Sequence, residues 1–154
     1  MDFQTFLSPK AIKVVSGFSS KKRLFLDLAD IAREVYPVGT ADIVEALMER
    51  ESLGPTGVGH GVALPHARLA EIDKMAGIFV RSEKPVPFSS VDQQPVDLIF
   101  CLLAPLKSGV DHLKALALVS RTLRDAGVCA KLRANSDPAI LYAIFCEART
   151  SQAA

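Results

Sequence analysis

The chain has 154 residues, of which 49% are hydrophobic and 23% are charged, the composition of an ordinary soluble globular protein. Its formal net charge of +1 argues against a nucleic-acid binder that works through bulk electrostatics. No apolar run approaches the ~18 residues of a transmembrane helix, and the first residues lack the basic and apolar regions of a signal peptide. We therefore expect one domain of about 1–154, without membrane insertion.

The first third of the chain predicts one strand and two helices. Apolar residues recur every three or four positions in both helices, so each presents one stripe to a core. Proline and glycine separate them at Pro37 and Gly39. The predicted elements are a short arm at residues 1–10 with a turn at Ser8-Pro9, a strand at Ala11–Val15, a helix from Ser19 or Ser20 to about Tyr36, and a helix at about Ala41–Leu53 with Thr40 as N-cap.

The stretch at residues 50–68 breaks this regular pattern, because it holds four glycines, two prolines and two of the three histidines. Glycine allows positive φ and lets a backbone approach a ligand closely. Pro65 stiffens the chain directly before His66. The run predicts the end of a helix, a glycine loop, a short strand at Gly61–Leu64 and a histidine held at a rigid exit, although glycine-rich runs more often only make turns.

Arg50 lies at the end of the second predicted helix, where it continues the apolar face of Ile43 and Leu47. Two ordinary interpretations are a cation at a helix C-terminus and an ion pair with Glu51. An arginine that points inward without an obvious partner also suits an anion, which the protein or a ligand would supply.

The rest of the chain alternates strands with helices, which predicts an α/β domain. His112 falls in the first turn of a helix, on the inward stripe of Leu116, Val119 and Leu123. The predicted elements are a strand at Met75–Val80, an irregular or edge segment at Pro85–Ser90, a central strand at Pro95–Ala104, a loop at Pro105–Val110, a helix at about Asp111–Arg124 capped by Ser108 or Asp111, and two helices at about Gly127–Ala134 and Pro138–Glu147.

Most catalytic motifs are missing from the sequence. There is no nucleotide P-loop, no G-x-G-x-x-G and no G-x-S-x-G. A zinc site built from His60, His66 and His112 is conceivable, but no acidic residue has a telling spacing, so we expect no metal and no cofactor. The three cysteines are widely spaced in apolar segments, which favours buried free thiols in the cytoplasm.

What remains is a histidine as covalent nucleophile. A neutral imidazole attacks a phosphoryl group without a separate base if one ring nitrogen is exposed and the other is fixed. Donors must surround the phosphoryl oxygens, and a cation must offset their charge. His66, the glycine-loop N–H groups and Thr56, together with Arg50 and His112, could supply these needs.

The motif Gly-Pro-Thr-Gly-Val-Gly-His-Gly-Val-Ala-Leu-Pro-His-Ala at residues 54–67 resembles the phosphorylation motif of phosphotransferase-system enzyme IIA proteins of the fructose–mannitol class. More closely, it is similar to their nitrogen-regulatory branch. The resemblance covers about residues 8–147. It continues through Ser20–Arg23, Arg50-Glu51, Asp92–Leu98, His112-Leu113 and Leu132–Ala134.

This resemblance implies a cytoplasmic phosphocarrier with a mixed sheet flanked by helices on both faces. The phosphoryl acceptor would be His66 through Nε2, with Arg50 and His112 bordering the phosphate. We expect phosphate binding at Thr56, Gly57 and Gly59.

The implied donor is an HPr-like protein, charged from phosphoenolpyruvate by enzyme I, and the implied targets are regulatory partners such as kinases or transporters. The alternative is a sugar-specific IIA component that passes phosphate to a IIB protein and permease for fructose- or mannitol-type sugars. The family usually carries another residue at the position of His60. At the rim of the site this histidine could modify partner contact or pH dependence, but we expect it to have no role.

Overall fold

A mixed six-stranded sheet separates two layers of helices in the computed structural model, which describes residues 1–39 and 41–153, with side chains through Ala148. The strands are β1 Leu7–Val15, β2 Gly57–Gly59, β3 Val62–Ala63, β4 His66–Leu69, β5 Ala76–Val86 and β6 Val96–Pro105. The helices are α1 Phe3–Phe6, α2 Lys21–Val35, α3 Ile43–Ser52, α4 Val110–Arg124, α5 Ala126–Arg133 and α6 Pro138–Ala153.

The strand order is β1-β5-β6-β3-β2, and β4 pairs with β6 beyond the end of β3. β6 is parallel to β3 and β4 and antiparallel to β5. Its side chains alternate between two cores: Ile99 and Cys101 pack with α2 and α3, whereas Leu98 and Phe100 pack with α1, α4, α5 and α6. This alternation follows from the two-residue period of a strand, and a strand covered on both faces is apolar almost throughout.

The predicted α/β architecture, a mixed sheet with helices on both faces, is confirmed. The central strand lies where the apolar run predicts it. Helix α2 begins after Ser20, whose hydroxyl accepts a hydrogen bond from the Arg23 N–H. Helix α6 begins at Pro138, and Asp137 accepts a hydrogen bond from the Ala139 N–H.

The prediction of a short arm at residues 1–10 with a turn at Ser8-Pro9 is wrong. Phe3 and Phe6 lie in the short helix α1 and are buried against the ring of Phe100, and Phe3 also contacts Phe145. Strand β1 then begins at Leu7, which pairs with Gly77 of β5. β1 is an edge strand whose register shifts between Leu7 and Ile12, so Pro9 removes no essential ladder hydrogen bond.

Strand β5 runs past its predicted end at Val80. Its final residue, Val86, pairs with Val96, and the N–H of Lys84 donates to the Ser16 carbonyl. The register of β5 against β6 shifts between Arg81 and Val86, which accommodates the proline in this segment.

Two helix caps differ from their predictions. Helix α4 has Gly109 as its N-cap, at φ 58° and without a side-chain hydrogen bond, so the caps expected from Ser108 or Asp111 are wrong. Helix α3 is capped by Asp42, which accepts a hydrogen bond from the Glu45 N–H. Thr40, the predicted cap, lies outside the described residues.

Over the described ranges 1–39 and 41–153, we find no helix long and apolar enough to cross a membrane.

Candidate active site

The glycine-rich stretch folds into a small hairpin of β2 and β3, followed by β4. Its tip consists of Gly59, His60 and Gly61, all at positive φ. A Cβ on Gly61 would lie 2.6 Å from Nη2 of Arg133 and 2.8 Å from Oδ1 of Asp97, and the φ of +78° would strain any other residue, so the position favours glycine. The predicted short strand is present at Val62–Ala63.

His66 is the first residue of β4, where it pairs with Leu102 of the central strand. Its ring is half-buried, and Nδ1 lies 2.8 Å from the carbonyl oxygen of Leu64. Because a carbonyl can only accept a hydrogen bond, Nδ1 carries the proton of the neutral ring and Nε2 keeps its lone pair. One nitrogen is therefore fixed and the other is available for attack.

Arg50 faces that available nitrogen from the end of α3. Its Nε donates to Nε2 of His66 at 3.3 Å, and its Nη1 donates to the Gly54 carbonyl at 3.0 Å. The possible ion pair with Glu51 does not form, since Glu51 contacts Lys21 and Thr56 instead. Arg50 thus holds two neutral acceptors.

His112 lies beside His66, with the two ring centroids 5.8 Å apart. It is 5% exposed, and its Nδ1 has no hydrogen-bond partner among the described residues. Burial lowers the pKa of His112 to about 4, and the charges of Arg68 and His66 add to the effect. The ring is therefore neutral at physiological pH.

These side chains line an open cleft of about 360 Å³. Its walls come from α3, from the first three residues of β4 and from the first turn of α4. The exposed Arg68 also lines it, and sequence reasoning missed this residue. The two-residue period of a strand was the available signal, because it places Arg68 on the same side of β4 as His66.

Burial lowers the pKa of His66 below its ordinary value, and the positive charge of Arg50 acts in the same direction. The hydrogen bond to Leu64 and the negative charge of Glu51 act in the opposite direction. The balance leaves a neutral imidazole near pH 7, with its lone pair directed at a guanidinium. Such a group can attack an electrophile whose negative oxygens replace it as the partner of Arg50.

The structure brings Arg50, His66 and His112 together, but Thr56 is hydrogen-bonded to Glu51 and lies outside this group. The hydroxyl of Thr56 donates to Glu51 Oε2 at 2.6 Å, and its N–H also donates to the Glu51 carboxylate. Thr56 does not line the cleft. Its role in phosphate binding stays a prediction.

The two predicted phosphate-binding glycines also lie outside the cleft lining. Gly57 packs against Ser90, and Gly59 lies near the carboxylate of Asp92. His60 is exposed, and its N–H donates to the same carboxylate. Phosphate binding by the glycines therefore also stays a prediction.

Within the described part of the chain, no group of three or more histidine, cysteine, aspartate or glutamate side chains is arranged to hold a metal ion. Cys101 and Cys129 are buried free thiols, as predicted, whereas Cys146 is only half-buried.

A family model for the phosphoenolpyruvate-dependent sugar phosphotransferase system, EIIA 2, matches residues 5–148. The chain belongs to this family. Its general role is therefore that of a phosphocarrier of the phosphotransferase system, with phosphoryl transfer as its chemistry.

Within the family, the chain is similar to nitrogen regulatory proteins. It is 43% identical over 145 residues to the nitrogen regulatory protein of Bradyrhizobium diazoefficiens, covering 94% of this chain and 95% of that protein. The crystal structure of IIA-Ntr from Neisseria meningitidis superimposes with a TM-score of 0.84 at 35% identity, over 91% of this chain and 96% of the other. The predicted resemblance is confirmed.

The IIA mannitol structure from Escherichia coli gives a TM-score of 0.77 at 18% identity, over 90% of this chain and 97% of that one. This match shows a shared fold.

Proposed function

We propose that the protein is a regulatory phosphocarrier that accepts a phosphoryl group on Nε2 of His66 from a phosphorylated HPr-like protein. Enzyme I would charge that donor from phosphoenolpyruvate. The observation that supports this most directly is the hydrogen bond from Nδ1 of His66 to the Leu64 carbonyl, which leaves Nε2 unprotonated beside Arg50.

In the proposed step, the lone pair of His66 Nε2 forms a bond to phosphorus while the nitrogen–phosphorus bond of the donor histidine breaks. The bonding electrons return to the donor ring. His66 keeps its proton on Nδ1, and this N–H donates a hydrogen bond to the Leu64 carbonyl throughout the reaction. Arg50 exchanges the His66 lone pair for a phosphoryl oxygen, and the neutral His112 supplies a second polar group beside the acceptor.

The phosphorylation state of His66 would then be the signal read by regulatory targets such as kinases or transporters in the cytoplasm. The similarity to proteins called nitrogen regulatory supports this use over sugar uptake. No metal or other cofactor takes part in the proposed reaction, because the imidazole is itself the nucleophile.

The test is incubation of the purified protein with enzyme I, an HPr-type donor and phosphoenolpyruvate, followed by intact-mass measurement. We expect one acid-labile, base-stable phosphoryl group on the wild type and none on His66→Ala. His60→Ala is the matched control and should be labelled fully. Full labelling of His66→Ala would contradict the proposal, and rapid onward transfer to a sugar-specific IIB protein would favour the transport alternative.

A further inference from the structure

The carboxylate of Glu51 lies at the junction of α3 and the glycine loop, and its side chain is only 8% exposed. It accepts a hydrogen bond from Lys21 Nζ at 3.0 Å, one from the Thr56 hydroxyl at 2.6 Å and one from the Thr56 N–H at 3.1 Å. A buried carboxylate is stable only when its oxygens are paired in this way. Glu51 therefore fixes Thr56, which is itself 3% exposed.

Two further hydrogen bonds connect Thr56 to His66. The N–H of Leu64 donates to the Thr56 carbonyl at 2.9 Å, and the Leu64 carbonyl accepts the Nδ1 proton of His66 at 2.8 Å. The backbone of Thr56 is thus hydrogen-bonded to Glu51 through its N–H and to Leu64 through its carbonyl. A continuous path of hydrogen bonds leads from the Glu51 carboxylate to the ring of His66.

We propose that Glu51 is a positioning residue for His66, acting through Thr56 and Leu64 to keep Nδ1 protonated and Nε2 directed into the cleft. This inference rests on the proposed function of His66 as phosphoryl acceptor. It also gives the Thr56 hydroxyl a different task from direct phosphate binding.

Charge supports the same assignment. Arg50 and Glu51 are neighbours in α3, and the pKa of His66 is lowered by the first and raised by the second. Glu51 therefore preserves part of the basicity that burial and Arg50 remove. A nucleophilic nitrogen needs that basicity, and positive charge grows on the ring as the bond to phosphorus forms.

A purely structural role predicts a different behaviour. Lys21 lies over the Phe88 ring at 4.4 Å, so Lys21 and Glu51 also hold the start of α2 near the glycine loop. If that were the whole role, loss of the carboxylate would lower stability alone. The ring of His66 would keep its tautomer and its reactivity.

The experiment compares Glu51→Gln, Thr56→Val and Thr56→Ser with two controls in the same full-length protein. Glu45→Gln removes an exposed carboxylate from α3, and Thr122→Val removes a buried hydroxyl that donates to Leu118 within α4. Three quantities are measured on each variant: kcat and KM for the phosphorylated HPr-type donor, the ¹⁵N chemical shifts of the His66 ring, and thermal unfolding.

We expect kcat to fall about 10- to 100-fold in Glu51→Gln and Thr56→Val with little change in KM, by analogy with the loss caused by removing the hydrogen-bond partners that orient metal-ligating histidines. Thr56→Ser keeps the hydroxyl and should restore the wild-type rate. The double variant of Glu51→Gln and Thr56→Val should be no slower than the slower single variant, because both changes break one path. The ¹⁵N shifts should move from the Nδ1–H tautomer toward a mixture, and both controls should match the wild type.

The inference is overturned if Glu51→Gln and Thr56→Val unfold earlier but keep the wild-type rate and ring shifts. It is also overturned if Thr56→Val alone is slow, because Thr56 would then act on the phosphate directly. If Glu51→Gln does not fold, the ¹⁵N shifts of Thr56→Val decide: shifts that move away from the Nδ1–H tautomer support the path, and wild-type shifts in a slow variant overturn it. If the wild type takes up no phosphate, the proposed function fails, whereas the ring shifts still test the path from Glu51 to His66.

Discussion

Two places in the molecule set an arginine close to a histidine, and they differ in what the arginine holds. At the hairpin tip, Arg133 donates to both carboxylate oxygens of Asp97, at 2.8 and 2.9 Å, and to the His60 carbonyl at 2.8 Å. In the cleft, Arg50 donates to the Gly54 carbonyl and to a ring nitrogen of His66, and no ion pair of Arg50 exists within the described residues.

The difference separates a structural arginine from one that can take a ligand. Asp97 neutralises Arg133 in a bidentate pair, so that guanidinium has no need of another anion. Arg50 is held in place by neutral acceptors, and its charge remains uncompensated by a carboxylate. Under the proposed function, an arriving phosphoryl group would therefore gain a charge-assisted contact at Arg50 that Arg133 cannot offer.

The largest effect we predict for this comparison is on Arg50. Arg50→Ala should slow phosphate uptake by His66 on the order of 10²-fold, because a preorganised donor to the moving phosphoryl group is lost. Arg50→Lys should fall between the alanine variant and the wild type, since lysine keeps the charge but lacks the planar fork. The measurement is the initial rate of uptake at a fixed concentration of phosphorylated donor. A wild-type rate in an Arg50→Ala variant that merely unfolds earlier would make Arg50 structural.

Arg133 should show the opposite pattern. Arg133→Met should lower the free energy of unfolding by about 1–3 kcal/mol, because Asp97 and the His60 carbonyl lose a charged donor. The uptake rate of the folded protein should stay within a factor of about two of the wild type. Urea unfolding and the uptake assay together check this. A rate loss as large as that of Arg50→Ala would erase the distinction between the two arginines.

His112 should make stability depend on pH. Its pKa is about 4 in the folded protein, against an ordinary value of 6.5. The unfolded chain therefore binds the proton first, and stability falls as the pH drops from about 6.5 toward 4. The upper limit is about 3.5 kcal/mol, since each tenfold change in proton affinity is worth about 1.4 kcal/mol.

Urea unfolding at pH 7 and pH 5 measures this loss. In His112→Gln a smaller loss should remain, part of it from His66, whose pKa is also lowered. If the pH dependence of stability in that variant matches the wild type, His112 is not the source of the stability loss at low pH.

In the uptake assay, His112→Ala should still be labelled on His66, but more slowly than the wild type.

The smallest effect should come from His60. Its ring is exposed, whereas its backbone N–H and carbonyl are held by Asp92 and Arg133. His60→Asn keeps a residue that tolerates positive φ, and we expect no change in uptake or unfolding. A measurable shift in the pH profile of phosphate uptake would contradict this prediction and would show that the His60 ring takes part in the reaction.

The fold was predictable because its main elements have strong periods. The apolar run of β6 and the stripes of α2 and α4 follow directly from residue spacing. Burial of Phe3 was not predictable, because its partner Phe145 lies at the far end of the chain. The irregular pairing that admits Pro9 into β1 also depends on contacts that exist only in the folded sheet.

The candidate site divides in the same way. The positions of His66, Arg50 and His112 at the ends of their elements were readable from spacing, and the structure brings the three together. The hydrogen bond that sets the tautomer of His66 was not readable, since it depends on the direction of the Leu64 carbonyl. The pairing of Glu51 with Thr56 likewise needs the turn between α3 and β2.

The anchoring of β4 beside the central strand determines how a partner protein would detect a phosphoryl group on His66. His66 pairs with Leu102, and the Leu102 N–H also donates to the Pro65 carbonyl, so the backbone that carries the group has little freedom to move. The cleft has a net positive charge, because its lining includes Arg50 and Arg68 but only one carboxylate, that of Glu49. A phosphoryl group brings about −1.5 to −2 at neutral pH, and the His66 ring, which keeps its Nδ1 proton, gains one positive charge, so phosphorylation largely cancels the positive charge of the cleft. Such a surface keeps its shape and loses its positive charge, and a partner that distinguishes the two states would do so through a salt-sensitive electrostatic contact.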